Sequence, residues 1–168
     1  MSEKVRIAGI VKESIVDGPG IRFVVFAQGC KHHCDGCHNP ATHDFNGGNL
    51  VDIETIINEM KKNPLLDGIT LSGGEPFEQP EGFSELARRS KELGYHVMTY
   101  TGYTYETLTK KKDEQRLRLL KNTDILVDGK FEAAQKSLML KFRGSKNQRI
   151  IDMNKSRREN RLTLSEII

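Results

Sequence analysis

The chain has 168 residues, of which 36% are hydrophobic and 29% charged, with a formal charge of +3; this is the makeup of one soluble domain, and the charge is too small to imply a nucleic-acid partner. The length is short of the roughly 250 residues of a complete eight-stranded α/β barrel but leaves room for a partial one. No apolar run approaches a membrane span, and Met1 to Ile10 lacks the apolar core and cleavage site of a signal peptide, so a reducing cytoplasmic location with no membrane partner is expected.

In chain order, short β-branched runs alternate with amphipathic stretches, the pattern of a parallel sheet with crossover helices. Val5 to Val11 reads as a first strand. Asp17-Gly18-Pro19-Gly20 is a tight turn, and Ile21 to Ala27 is a buried strand. Asp52 is placed to cap a helix with Ile53, Ile56, Ile57 and Met60 on one face, ending before Pro64. Ile69 to Leu71 is a short strand running into Ser72-Gly73-Gly74-Glu75-Pro76. A helix that turns Phe83, Leu86, Ala87 and Ser90 inward follows and ends at Gly94. Then come a strand over Tyr95 to Tyr100, a charged helical region over Tyr105 to Lys121, a strand over Asp124 to Val127 and an edge strand at Ile150-Ile151. Glu78 and the lysines at 110 to 112 read as solvated surface. From Lys141 onward, eight Lys/Arg face Asp152, Glu159 and Glu166, giving that segment +5; residues 154–168 read as a polar, loosely held tail after a single domain at 1–153.

All three cysteines, Cys30, Cys34 and Cys37, fall in the loop that leaves the C-terminal end of the strand Ile21 to Ala27, the end where cofactor loops of parallel α/β folds sit. A disulfide would leave one thiol over. Zinc suits thiolates and imidazoles, and His32, His33 or His38 would supply its fourth ligand. An iron-sulfur cluster also suits soft thiolates, and with no fourth cysteine one iron keeps an open position. A zinc-binding module and an iron-sulfur electron carrier therefore stand beside an enzyme that binds its substrate at the open iron.

Cys-x3-Cys-x2-Cys followed by Gly-Gly-Glu-Pro one strand-helix unit later resembles the radical S-adenosylmethionine (SAM) enzymes. Asp17-Gly18-Pro19-Gly20-Ile21-Arg22 ahead of the cysteines is similar to the glycyl-radical-enzyme activases among them. Further segments resemble the branch that activates anaerobic ribonucleoside-triphosphate reductase: Asp35-Gly36-Cys37, Tyr100-Thr101-Gly102-Tyr103, Leu126 to Phe131, Arg143-Gly144-Ser145 and Asn147-Gln148-Arg149. The resemblance implies a short-form partial (β/α) barrel of about six parallel strands. It implies one 4Fe-4S cluster on Cys30, Cys34 and Cys37, and SAM bound by Gly36, Cys37, His38, Gly73, Gly74 and Glu75. Gly36 stands where most of the superfamily has an aromatic residue, which leaves the adenine to main chain at 36–38. The implied reaction is reductive cleavage of SAM to a 5′-deoxyadenosyl radical that makes a glycyl radical on the reductase's large subunit, near its C-terminus. An external one-electron donor such as flavodoxin or ferredoxin drives it. Asp17 is the implied contact to the partner's glycine loop, and no general base is needed. Arg143 reads either as a bidentate donor to a carboxylate or as a surface arginine. Pyruvate formate-lyase is the alternative partner.

Overall fold

In the computed structural model, which describes residues 3–32, 34 and 40–165, β1 (Lys4–Ser14) and β2 (Arg22–Ala27) lie antiparallel, with Ile7 opposite Ala27 and Ser14 opposite Arg22. The link at 15–21 is shorter than the dozen or so residues that a parallel crossover needs, so the reversal is forced. β3 (Asn49–Asp52) joins the other edge of β1, also antiparallel, and runs straight into α1 (Ile53–Lys61). Asp52 holds the N-cap position of α1 but makes no side-chain cap bond. The chain continues through β4 (Gly68–Gly73), α2 (Pro80–Glu92), β5 (His96–Tyr100), α3 (Tyr105–Lys110), α4 (Glu114–Lys121), β6 (Ile125–Asp128), β7 (Arg149–Asp152) and α5 (Met153–Glu159).

Among the described residues seven strands form one sheet, in the order β3-β1-β2-β4-β5-β6-β7. Only β2, β4, β5 and β6 are parallel, and β7 returns antiparallel to β6. The α/β class holds, but the expected six parallel strands reduce to four with antiparallel flanks. The charged stretch 105–121 is two helices, divided at Lys112 (φ 50), where Asp113 caps α4 by accepting from the amides of Gln115 and Arg116.

Alternation along each strand sorts side chains onto two faces. Phe23, Val25, Ala27, Ile69, Leu71, Val97 and Leu126 meet Ile53, Ile57, Phe83, Leu86 and Leu119 of the helices in the main core. Phe23 and Phe83 are buried there, and burial of each contributes about 2–3 kcal/mol. The opposite face carries a small cluster of Met98, Ile125, Val127 and Ile150 with Tyr100 and Phe142 against it. Of the segment expected as a loose tail, residues 154–165 fold back on the sheet. Beyond α5, Leu164 bridges Ile151 and the Ser165 amide donates to Ile150 O (2.8 Å), while buried Ser156 within α5 donates to Asp152 O (2.7 Å). Its polar side chains pair with main chain, and the turn-back covers the outer edge of β7.

Candidate metal and cofactor centre

The cysteine loop starts as a continuation of β2 that is held from both sides. Gln28 N donates to Arg6 O (3.0 Å), Gly29 N to Thr42 O (2.6 Å) and Cys30 N to His43 O (3.2 Å). The buried Gln28 amide donates to Ala41 O and Asp44 O, so the segment that returns from the loop wraps its own beginning. Gly29 has φ +108, and a Cβ there would lie 2.7 Å from the Phe45 ring. Cys30 is buried and Cys34 half-buried, both as thiols. Cys37, Gly36 and His38 lie outside the described residues, and among the described residues no three His, Cys, Asp or Glu side chains gather as a metal site.

Against this stretch rests the end of β4. Gly74 N donates to Ala27 O and Glu75 N to Gly29 O, both at 2.8 Å. A Cβ on Gly73 (φ +98) would meet Ala27 N at 2.4 Å, and one on Gly74 would meet Gly29 O, Thr42 O and Ala27 O at 2.6–2.9 Å. The paired glycines, which the resemblance assigns to SAM, also bring one strand end onto another. Glu75 is fully buried, and its carboxylate accepts from His32 Nε2 (2.7 Å), Gly102 N (2.8 Å), Phe77 N (3.1 Å) and the Thr101 hydroxyl (2.9 and 3.0 Å). These protein donors occupy the carboxylate that the resemblance assigns to the SAM ammonium.

Around it lies a second polar cluster that sequence reading missed. Glu78, expected at the solvated surface, has a side chain only 8% exposed; it pairs with Lys31 and Arg116 and accepts from the Tyr103 hydroxyl. Arg116 sits 4.7 Å over the Tyr103 ring, whose edge meets the His32 ring with centroids 4.6 Å apart. Burial, then the hydrogen bond to Glu78 and its charge, push the Tyr103 hydroxyl up to about 12. No local pattern marks Glu78, because its partners are tens of residues away in sequence. Lys110, Lys111 and Lys112 are exposed, as expected.

Asp17 lies on the small-cluster face. It is half-buried, accepts from Ser14 Oγ (2.6 Å) through its side chain and from Thr70 Oγ1 (2.8 Å) through its carbonyl. Burial and then the charge of Asp17 push the Tyr100 hydroxyl up, so the two side chains share one environment. A groove lined by Ile15, Val16, Pro19, Leu140 and Phe142 opens beside the turn. Arg143 is half-buried and donates to Lys146 O and Gln148 O, bonds internal to its own loop. Asp128 is buried and paired with Arg149, Gln148 donates to Gly129 O, and Asn147 donates to Lys130 O, so the motif residues at 128–130 and 147–149 brace each other.

A family model described as a 4Fe-4S single cluster domain matches residues 16–151. The anaerobic ribonucleoside-triphosphate reductase-activating protein of Enterobacteria phage T4 is 34% identical over 143 residues, 80% of this chain and 86% of that one. The protein of the same name from Haemophilus influenzae is 35% identical over 142 residues, 80% of this chain and 89% of that one. The pyruvate formate-lyase-activating enzyme of Clostridium pasteurianum is 38% identical over 128 residues, 73% of this chain but only half of that enzyme. Among solved structures, QueE from Escherichia coli is similar with a TM-score of 0.48 at 14% identity, covering 60% of this chain and 53% of that one.

Proposed function

Because the chain belongs to the family of anaerobic ribonucleoside-triphosphate reductase-activating proteins, which carries a 4Fe-4S single cluster domain, we propose that it is the activase that makes the glycyl radical on such a reductase. The observation that carries this reading is the junction at the C-terminal ends of β2 and β4, where the Gly-Gly-Glu turn is hydrogen-bonded to the main chain of Ala27 and Gly29, directly ahead of the first cysteine. The donor set fits the group: soft thiols at Cys30 and Cys34 on one loop, with Cys37 to complete three ligands. Bound there, the cluster and SAM would supply the one-electron reductive chemistry that makes a glycyl radical on the partner.

The chain's own residues bind, orient and exclude water. Cys30, Cys34 and Cys37 would hold the cluster as its three protein ligands. Main chain at Gly73 and Gly74, with Gly36, Cys37 and His38, receives SAM. Asp17 meets the partner's glycine loop at the groove beside Ile15 and Phe142. No acid-base pair is required. A one-electron carrier delivers the electron, and this chemistry suits a reducing cytoplasm; among the described residues no helix is long and apolar enough to cross a membrane.

The test is anaerobic: iron and sulfide analysis of the purified protein, then dithionite, SAM and each partner in turn. A glycyl-radical doublet in the electron paramagnetic resonance spectrum of the reductase is expected. A doublet on formate-lyase and none on the reductase would move the assignment to the other partner, and a colourless zinc protein would end it.

A further inference from the structure

We propose that His32 is the latch that holds the cysteine loop on the sheet and that Glu75 is its fixed catch, so Glu75 serves the loop and leaves the ligand's ammonium to main chain. The inference rests on the reading of Cys30, Cys34 and Cys37 as ligands of one cluster. His32 stands two residues from both Cys30 and Cys34. Its side chain is 7% exposed, and Nε2 lies 2.7 Å from Glu75 Oε1. As a carboxylate already receiving N–H or O–H from Gly102, Phe77 and Thr101, Glu75 accepts, so Nε2 carries the proton.

The ring is confined on two further sides. The Tyr103 ring meets it edge-on at 4.6 Å, and a Cβ on Gly102 would lie 2.5–2.8 Å from its Cδ2, Nε2 and Cγ. Glu75 cannot follow a moving loop, since its own amide is bonded to Gly29 O and its carboxylate to the end of β5. Among the described residues between Cys30 and Cys34, Lys31 and His32 reach the body of the protein. Lys31 is 65% exposed, and its solvated ammonium holds the buried Glu78 carboxylate only weakly. Beside the bond from Cys30 N to His43 O, His32 therefore holds this stretch of the loop against the Gly-Gly-Glu turn. It is a positioning residue, in the sense that groups behind metal ligands set affinity without touching the metal.

The measurement is the rate at which a ferrous chelator strips iron from anaerobically reconstituted protein, together with the change that SAM produces in the spectrum of the reduced cluster. His32→Ala should lose iron about tenfold faster and should show a weakened SAM-induced change at a concentration that saturates the parent. Gly102→Ala, which leaves His32 in place but puts a methyl into its ring, should move both readouts the same way. His32→Gln, which keeps an N–H for Glu75, should restore most of the lifetime and serves if the alanine variant does not fold. The thermal midpoint of the metal-free protein separates a general loss of stability from a loosened loop. Parental iron lifetime and SAM response in both His32→Ala and Gly102→Ala overturn the latch alone. Parent protein that assembles no iron-sulfur cluster overturns the cluster reading, and the latch with it.

Discussion

Gly74→Ala separates two explanations of the paired glycines. A methyl at this position would face three carbonyl oxygens at 2.6–2.9 Å, all main chain of 27, 29 and 42. None can rotate away as a side-chain tip would. Overpacking of this kind costs about 1–3 kcal/mol. Backing the turn off would also stretch Gly74 N to Ala27 O and Glu75 N to Gly29 O, at about 1 kcal/mol each. The total is about 3–5 kcal/mol, a fall of roughly 6–20 °C in thermal midpoint for a domain of this size. The assay is thermal unfolding of the metal-free protein by circular dichroism. Gly9→Ala is the control: nothing lies within 4 Å of the new methyl, so a change within about 0.5 kcal/mol is expected. If the glycines serve only a ligand, the metal-free Gly74→Ala protein melts with the parent and loses SAM binding alone. A midpoint within about 2 °C of the parent would refute the packing argument.

Cys30→Ser, Cys34→Ser and Cys37→Ser should each abolish SAM cleavage, checked as 5′-deoxyadenosine formed under dithionite; full turnover by any one would break the three-ligand assignment. Arg22→Lys should cost about 2–3 kcal/mol in urea unfolding, because one ammonium cannot replace a guanidinium that meets Thr70, Pro19, Ile69 and His96 together. Asp128→Asn should cost about 2 kcal/mol by the same assay, since it weakens the ion pair to half-exposed Arg149 and the acceptor for Tyr105 N. Burial first, and then Arg22, push the His96 imidazole below its ordinary 6.5. The unfolded chain thus binds the proton more tightly, and this contribution to stability is complete above about 6.5 and is lost as pH falls through the lower folded value. His96→Gln should flatten that arm of the stability profile below about pH 6.5; an unchanged slope would remove His96 as its source.

Strand positions were legible because β-branched runs such as Phe23 to Phe26 are local, whereas strand directions were not. Alternation is the same in parallel and antiparallel strands, and only the short link at 15–21 excludes a crossover. β3 escaped notice for a different reason. Asn49-Leu50-Val51-Asp52 is short and half-exposed, with Leu50 55% exposed, so it lacks the apolar density of a buried strand and owes its form to pairing with β1. For the candidate site, the sequence offers the spacing of Cys30, Cys34 and Cys37. The contact of His32 with Glu75 joins residues 43 apart in sequence, and nothing in either segment signals it.

The Asp-Gly-Pro-Gly-Ile-Arg motif shows why a sequence signature can outrun the role first read into it. The turn itself needs only its glycines, with Gly18 at φ 137 and Gly20 at φ 77. The motif nevertheless continues to Arg22, and the reason is tertiary. The Arg22 side chain is 1% exposed, donates to Pro19 O at 2.9 Å, and through Nε grips Thr70 Oγ1, whose hydroxyl donates to Asp17 O. Its other end is fixed on Ile69 O and His96 O. Among the described residues no carboxylate lies within ion-pair distance of it, so burial lowers its pKa to about 10 and main-chain carbonyls carry the compensation. At neutral pH the guanidinium is still charged, and a buried cation is tolerated only where every donor is met. The turn therefore arrives with its own clamp: Arg22 fixes the main chain on both sides of Gly18, and this holds Asp17 at the face where the proposed glycine loop would enter.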